Sequence, residues 1–462
     1  MLIVAGVLGR RSMEQFDANT RADVHKLTRM ETEHGGLGLG SQFENAHNNY
    51  FASVAAFVRI IQSKAPQFND DVKRYLTDES QWSVSKALRA AMKESIPLME
   101  SEHFRKASMV NTQRPPTPRK PMELIEFLET DKLQRSLSHV RSKLLEESFV
   151  KTLRDRISAA QVQHSGEGES LIGSIGYHQR VLADYRAKTG QAAGAWLFAP
   201  MSGPNRFNDN EFTIALCQRV GCPALPLFGI NVDPGSKVKC PCSEGSGQEV
   251  LTEHHLLHCK FRGHSTIRHN NCVMTLAQCA RSVGYDVVVE PNIEGSQKRG
   301  DLKMSHALEA GQFVVYDFSC VNPASKTSVN KNKNSTDSLA AAKHAYEEKE
   351  KMYKHLIEKP DSPKITFKPL IAQAQGSVLP DGVPDFIRQM AYHASIRRPA
   401  ECTPLDADFT SHWFKRFSVA LIRSNAATVL DVVRAVRKRN IIDPSQRTVE
   451  EDFDVADPLP LW

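Results

Sequence analysis

The chain has 462 residues, of which 40% are hydrophobic and 24% charged, with 59 Lys and Arg against 53 Asp and Glu. That length suggests two or three domains, and the composition excludes a wholly disordered chain. A formal charge of +6 permits a nucleic-acid partner without requiring one, because only clustered basic residues create a binding surface. The nine cysteines all lie between Cys217 and Cys402. An odd number in a large chain without a secretory leader suits reduced thiols or a metal site better than a disulfide framework. The apolar run Leu2–Leu8 is too short for a signal-peptide core or a spanning helix, and Arg10 and Arg11 lie on its wrong side. The expectation is a nuclear or cytoplasmic protein, neither secreted nor membrane-spanning.

In chain order, residues 14–110 read as helical. Apolar positions recur at helical spacing through Tyr50, Val54, Phe57, Val58 and Ile61, and again over Val84–Met92. Gly35-Gly36-Leu37-Gly38-Leu39-Gly40 reads as a turn between helices; it lacks the Lys-Ser/Thr ending and the preceding strand of a phosphate loop. Arg114–Pro121 (Arg-Pro-Pro-Thr-Pro-Arg-Lys-Pro) is a stiff, basic linker and marks the first boundary. Helical patterning returns over 122–192, interrupted at Ser165–Ser170. From Asp286 the pattern changes. Asp286–Glu290 and Gln312–Val321 are β-rich, and a Lys/Asn/Ser-rich loop fills 322–337. A charged helix over Leu339–Ile357, a strand over Lys364–Leu370 and a helix over Val383–Arg397 follow. Together these describe a small α/β domain. Residues 408–440 read as a final helical pair, with Arg434, Arg437, Lys438 and Arg439 placed to complement a helix dipole. The tail Glu450–Trp462 is acidic, proline-rich and expected to be loosely ordered.

Two constellations carry chemistry. Cys240-Pro-Cys242 and His255-Leu-Leu-His-Cys259 supply four soft or borderline ligands in two short-range pairs, the arrangement a tetrahedral structural zinc needs. His255 and Cys259 share a helix face at i, i+4 spacing, with His254 and His258 as alternatives to His255. Four protein ligands close the shell, which argues against a catalytic zinc. The second constellation is acidic. Asp317 sits inside the strongest strand of the chain, where an unpaired carboxylate would be expensive and so demands a cation or donor. Strand alternation puts it on the face of Val315 and Ser319, opposite Tyr316 and Phe318. Glu290, Asp301 and Asp317 together offer hard oxygen ligands for one or two Mg²⁺, ions that activate water and stabilise charge on a phosphodiester. Segment 321–370 holds ten Lys against six Asp and Glu, a solvated surface or a DNA-backbone contact. Trp196 and Trp413 lie among apolar residues at helical spacing and are expected in the core.

The motifs form an ordered series. Gly35-Gly36-Leu37-Gly38-Leu39 is followed by Gly194-Ala195-Trp196-Leu197, then Phe212, Ala215-Leu216 and Arg219-Val220-Gly221. The Cys/His knuckle comes next, then Arg268-His269-Asn270, Glu290-Pro291, Arg299-Gly300-Asp301-Leu302 and Asp317. Lys349-x3-Tyr353 and Trp413, Arg416, Ser418, Ala420-Leu421 complete it. Over most of the chain this series resembles the C-terminal part of a non-LTR retrotransposon polyprotein, of the class with a restriction-like endonuclease after its reverse transcriptase.

The resemblance implies a PD-(D/E)xK-type core that nicks target DNA with Mg²⁺. Asp301 and Asp317 match the two metal-binding aspartates, and Glu290 is a further candidate for the catalytic set. Ser319 occupies the usual Asp-x-Lys position, and the lysine moves to the following helix, where Lys349 fits best and Lys343 and Lys326 are rivals. Arg268, His269 and Lys326 would contact DNA, and the zinc knuckle would help position it. DNA is the implied partner, with the element's RNA as a second candidate; no membrane and no small-molecule cofactor are expected.

The implied architecture is multi-domain α+β. It comprises a helical region over 1–120 resembling the distal thumb of a reverse transcriptase, a helical linker domain over 121–235 and the knuckle over 236–262. A restriction-like domain over 263–400 and a C-terminal helical segment with acidic tail over 401–462 complete it. Three departures stand out. Gly300 replaces a proline before the first aspartate, Gln373 stands where relatives carry a glutamate, and no polymerase core with paired aspartates is present. Reverse transcription by this chain is therefore not expected. The competing reading is a catalytically decayed, nucleic-acid-binding remnant of such an element.

Overall fold

The computed structural model describes residues 17–37, 42–77, 84–107, 133–162, 172–230, 238–243, 251–292, 299–305, 313–325, 328–329, 336–357, 365–397 and 406–441. The expected basic linker at 114–121, the 165–170 interruption, Gly38–Gly40, Lys326 and the acidic tail lie outside these residues. Among the described residues the chain is mostly helical with one small four-stranded mixed sheet, in keeping with the broad α+β class. No described helix is long and apolar enough to cross a membrane.

The first half follows its helical periodicity: α1 (Ala18–Arg29), α2 (Gln42–Lys64), α3 (Asn69–Thr77), α4 (Val84–Glu100), α5 (Glu102–Ala107), α6 (Leu133–Val162) and α7 (Ile172–Arg186). Asp17 caps α1 by accepting the Thr20 N–H at 2.9 Å. The apolar stripes of α2 and α4 meet α6, burying Phe51, Val58, Leu88, Met92, Leu137 and Val140 in one cluster. Phe57 departs from expectation: it is 52% exposed, at the margin of a stripe that follows Val54 and Val58 at i, i+4. Next comes α8 (Asp209–Val220), started by a reciprocal capping box between Asn208 and Glu211 and ended at Gly221, whose φ of 66° is left-handed.

The short α9 (Glu253–Leu256) and α10 (His264–Ser282) lead into the sheet. Its elements are β1 (Val287–Val289), β2 (Leu302–Ser305), β3 (Phe313–Val321), α11 (Ala340–Ile357) and β4 (Ile365–Gln373), followed by α12 (Val383–Arg397) and α13 (Asp406–Ile441). The strand order is β1-β2-β3-β4, antiparallel across the first two pairs and parallel between β3 and β4. The parallel pair requires a crossover, and α11 provides it. Strand β2 escapes sequence reading because Leu302-Lys-Met-Ser has no β-branched or aromatic residue. The expected pair of helices over 408–440 is instead one helix of 36 residues. No Gly or Pro interrupts Asp406–Ile441, so nothing breaks it.

Sheet alternation decides the two layers. Val314, Tyr316 and Phe318 pack with α10, α12 and α13, where Phe386, Trp413 and Phe417 are buried. On the other face Val315 packs with Tyr353 of α11 and Phe367 of β4. Asp317 therefore faces α11, as its period-2 phase requires. Helix α13 also packs along α8, so it ties the sheet to the core formed by α1, α6, α7 and α8. Trp196 is fully buried beside Phe207 and Phe212, a core residue as expected.

Candidate metal centre and carboxylate site

Cys240 and Cys242 flank Pro241 at the start of a single helical turn, and the Leu251 N–H donates to the Val238 carbonyl at 2.9 Å. That bond brings the loop ends together so that both cysteines face α9. Cys240 Sγ lies 3.5 Å from Cys259 Sγ, and Cys242 Sγ lies 3.2 Å from His255 Nε2. All four donor atoms fall within 4.8 Å of one another. Bonds of about 2.0–2.3 Å to a tetrahedral zinc place ligand atoms roughly 3.3–3.8 Å apart, so this set could hold a metal ion such as zinc. Sharing one proton with Cys240, together with His255, pushes the Cys259 thiol down to about 4; the same sharing, then burial, pushes Cys240 up. The thiolate character that a metal needs is thus already favoured at one ligand.

His254 and His258 stand outside that quartet. Burial pushes His254 down to about 4, and its carbonyl accepts from Asn322 Nδ2 at 2.9 Å. The His258 ring meets the same Asn322 amide at 3.1 Å. Arg268, expected to contact DNA, is 6% exposed and points inward. Its Nη1 donates to the Leu257 carbonyl at 2.6 Å and to Asn425 Oδ1 of α13 at 2.8 Å. Here Arg268 locks the segment after α9 onto α13 and leaves no guanidinium face for a phosphate.

The carboxylates assemble through sheet register. Leu302 pairs with Tyr316 across the antiparallel β2–β3 ladder, which sets Asp301 beside Asp317. The Asp301 N–H donates to the Tyr316 carbonyl at 2.9 Å, and Asp301 Oδ2 accepts the Phe318 N–H at 2.5 Å. His269 of α10 donates from Nε2 to Asp301 Oδ1 at 3.0 Å. Lys349 of α11 places Nζ 2.5 Å from Asp317 Oδ2. Tyr353, one turn further along α11, stacks on Phe367 with centroids 4.0 Å apart and donates to the Arg299 carbonyl at 3.2 Å.

The two aspartates lie side by side, and their surroundings push their carboxyls in opposite directions. Burial, then the Asp301 hydrogen bond and charge, push Asp317 up to about 6 against the pull of Lys349. Burial alone would raise Asp301, but hydrogen bonds from His269, Asp317 and the Phe318 amide hold it below its usual value. Two adjacent carboxylates beside one ammonium form a site that accepts further positive charge.

The other expected residues fall as follows. Glu290 adopts a left-handed φ of 51°, its N–H donates to the Asp301 carbonyl at 3.0 Å, and its exposed carboxylate lies 3.9 Å from Arg299 Nη1. Its side chain is thus turned to Arg299, and its link to Asp301 is through backbone. Lys343 pairs with Asp337 at 2.8 Å on the surface and so turns away from Asp317. Gln373 pairs with Val321, four residues along β3 from the Asp317–Pro369 pair, or about 13 Å away. Its amide donates to the Ser338 carbonyl and its Oε1 accepts from Ser377, so a carboxylate at this position would not reach the aspartates. Arg434 pairs with Asp431, and Arg437 donates to the Phe228 carbonyl. Tyr353 and Lys349, at i, i+4 spacing, share one face of α11.

Neither protein-family models nor curated proteins give a match to this chain.

Proposed function

We propose that the chain is the Mg²⁺-dependent DNA endonuclease region of a retrotransposon-derived protein, nicking target DNA by phosphodiester hydrolysis. The observation that carries this reading is the Lys349 ammonium 2.5 Å from Asp317, with Asp301 set beside Asp317 by the β2–β3 register. A carboxylate just before β2, a second within β3 and a lysine from α11 match the roles of a PD-(D/E)xK site whose lysine has moved from the strand to the crossover helix. In this reading residues 263–400 form the restriction-like domain, the Cys/His quartet holds a structural zinc, and the protein works on DNA in the nucleus or cytoplasm. Polymerase activity forms no part of the proposal.

Asp301 and Asp317 would hold the magnesium, their hard oxygens suiting it. Such an ion would supply positive charge against the scissile phosphate. His269 fixes the orientation of Asp301 through Oδ1, and the Phe318 amide fixes Oδ2. Lys349 stabilises the charge that develops on the phosphoryl oxygens as water attacks phosphorus and the P–O bond breaks. Tyr353 holds the backbone of Arg299, two residues before Asp301, and so positions the first aspartate.

The test is nicking of supercoiled plasmid with Mg²⁺ by the wild type, Asp317→Ala and Lys349→Ala. The expected result is a rate loss of about 10²-fold or more in each variant. Equal nicking by all three overturns the assignment. Absence of nicking throughout, with salt-sensitive DNA binding retained, would support the decayed remnant instead.

A further inference from the structure

We propose that Glu31, Glu33, His34 and His139 form a second metal site, which takes a divalent transition ion of the zinc class and staples the N-terminal turn to α6. The turn Thr32–His34 follows α1 and is closed by Gly35, whose φ is 83°. Its backbone is held from outside: Arg219 Nη2 donates to the Thr32 carbonyl at 2.5 Å, and the Gly190 N–H donates to the Glu33 carbonyl at 2.5 Å. A turn fixed in this way presents Glu31, Glu33 and His34 together to His139, which lies 108 residues beyond Glu31 in sequence.

The donor atoms converge. His139 Nδ1 lies 3.1 Å from Glu31 Oε2 and 2.9 Å from Glu33 Oε1, while His34 Nε2 lies 3.6 Å from Glu33 Oε1 and 4.0 Å from Glu31 Oε2. These separations bracket the roughly 3.3 Å between ligands of a tetrahedral ion with bonds near 2.0–2.1 Å. Among the described residues this is the second group, besides the cysteine-rich quartet, whose candidate ligand atoms all fall within 4.8 Å.

An independent observation points to a ligand. His34 is 8% exposed, and its Nε2 is buried without a hydrogen bond while facing two carboxylates. The other ring nitrogen, Nδ1, lies 2.9 Å from Glu146 Oε2 on α6. A carboxylate on one imidazole nitrogen fixes the tautomer and turns the lone pair of the other outward, as in carboxylate–histidine–metal arrangements. Nε2 then faces two carboxylate oxygens at 3.6 and 4.0 Å without a hydrogen bond, a contact that a shared cation satisfies. Charge points the same way. Of the three carboxylates, Glu146 has Lys143 at 2.6 Å and Arg186 nearby, while Glu31 and Glu33 face the two imidazoles. A divalent ion would balance those two carboxylates. Two imidazoles and two carboxylates suit Zn²⁺, Co²⁺, Mn²⁺ or Fe²⁺ better than the soft-ligand ions the cysteines select.

The experiment is a Co²⁺ titration of the metal-stripped full chain, with zinc content checked by elemental analysis. The Asp317→Asn background removes competition from the aspartate pair. The expected result is one equivalent bound without thiolate-to-metal charge transfer, in addition to any thiolate-ligated cobalt. That equivalent disappears in His139→Gln, and in Glu146→Gln it persists at saturation with affinity lowered about 10–100-fold. A chain that binds no thiolate-free equivalent overturns the proposal, whether or not His139→Gln folds. Retention of the full complement in a folded His139→Gln variant, or unchanged affinity in Glu146→Gln, overturns it equally.

Discussion

Gly300 sits directly before Asp301, and its lack of a side chain is dictated by packing. Its N–H donates to the Pro291 carbonyl at 3.2 Å, and an added Cβ would lie 2.4 Å from Val315 Cγ1. A proline here would lose that donor and drive its ring toward the same methyl group. The departure from the proline of the retrotransposon pattern therefore belongs to the way this strand-end packs against β3. Gly300→Ala is expected to destabilise the protein by about 1–3 kcal/mol through overpacking. Urea denaturation measures it, and trimming Val315 to Ala in the same chain should recover part of the loss. An unchanged midpoint in the single variant would show that Val315 yields freely.

Elements are joined by polar clamps at their crossings, and the α10–α13 crossing carries one that titrates. His264 Nε2 donates to Asp431 Oδ2 at 2.9 Å, and Arg434 donates to Asp431 Oδ1 at 2.8 Å. The His264 hydrogen bond foremost holds the Asp431 carboxyl below its usual value of 3.8. A carboxyl whose folded value is depressed contributes stability above the unfolded value, and loses it as pH falls through the folded one. Asp431→Asn should thus cost about 1 kcal/mol near pH 7, with the deficit shrinking as pH falls below about 3.8. Denaturation of both proteins at pH 7, 5 and 3 checks it; a deficit that grows on acidification would contradict the sign. Helix α11 shows the same dependence on crossings. Its i, i+4 pair Lys349 and Tyr353 reaches the aspartates only because the β3–β4 parallel pairing lays that face over the sheet.

At the scale of the molecule, the cysteine-rich quartet belongs to a core larger than itself. Cys240, Cys259, Leu251 and Leu256 share one buried cluster with residues of α1, α7, α8 and α13. Removing a structural metal from such a position releases like-charged or proton-starved ligands inside the core. Stripping with a strong chelator should therefore lower the melting temperature and open amides over 251–263 to hydrogen exchange, while β3 stays protected longer. Identical exchange maps with and without chelator would exclude a structural ion there. The same core receives α13, so loss of order at the quartet should also reach the Arg268–Asn425 clamp.

Much of this arrangement is written in short-range sequence. The spacing Cys-x-Cys with His-x3-Cys names four ligands, and alternation around Asp317 names its face. Both rest on forces acting within a few residues, above all side-chain direction. Tertiary structure decides the remainder. It selects His255 over His254 and His258, and Lys349 over Lys343, and it turns Arg268 inward. It also sets Asp301 beside Asp317 through a strand too short and too polar to read. Glu31-Thr32-Glu33-His34 is visible in the chain, yet His139 joins it only because Arg219 and Gly190 fix the turn against α6. Those outcomes depend on register and packing between distant elements, where many partners satisfy local chemistry equally and only close packing of the whole distinguishes them.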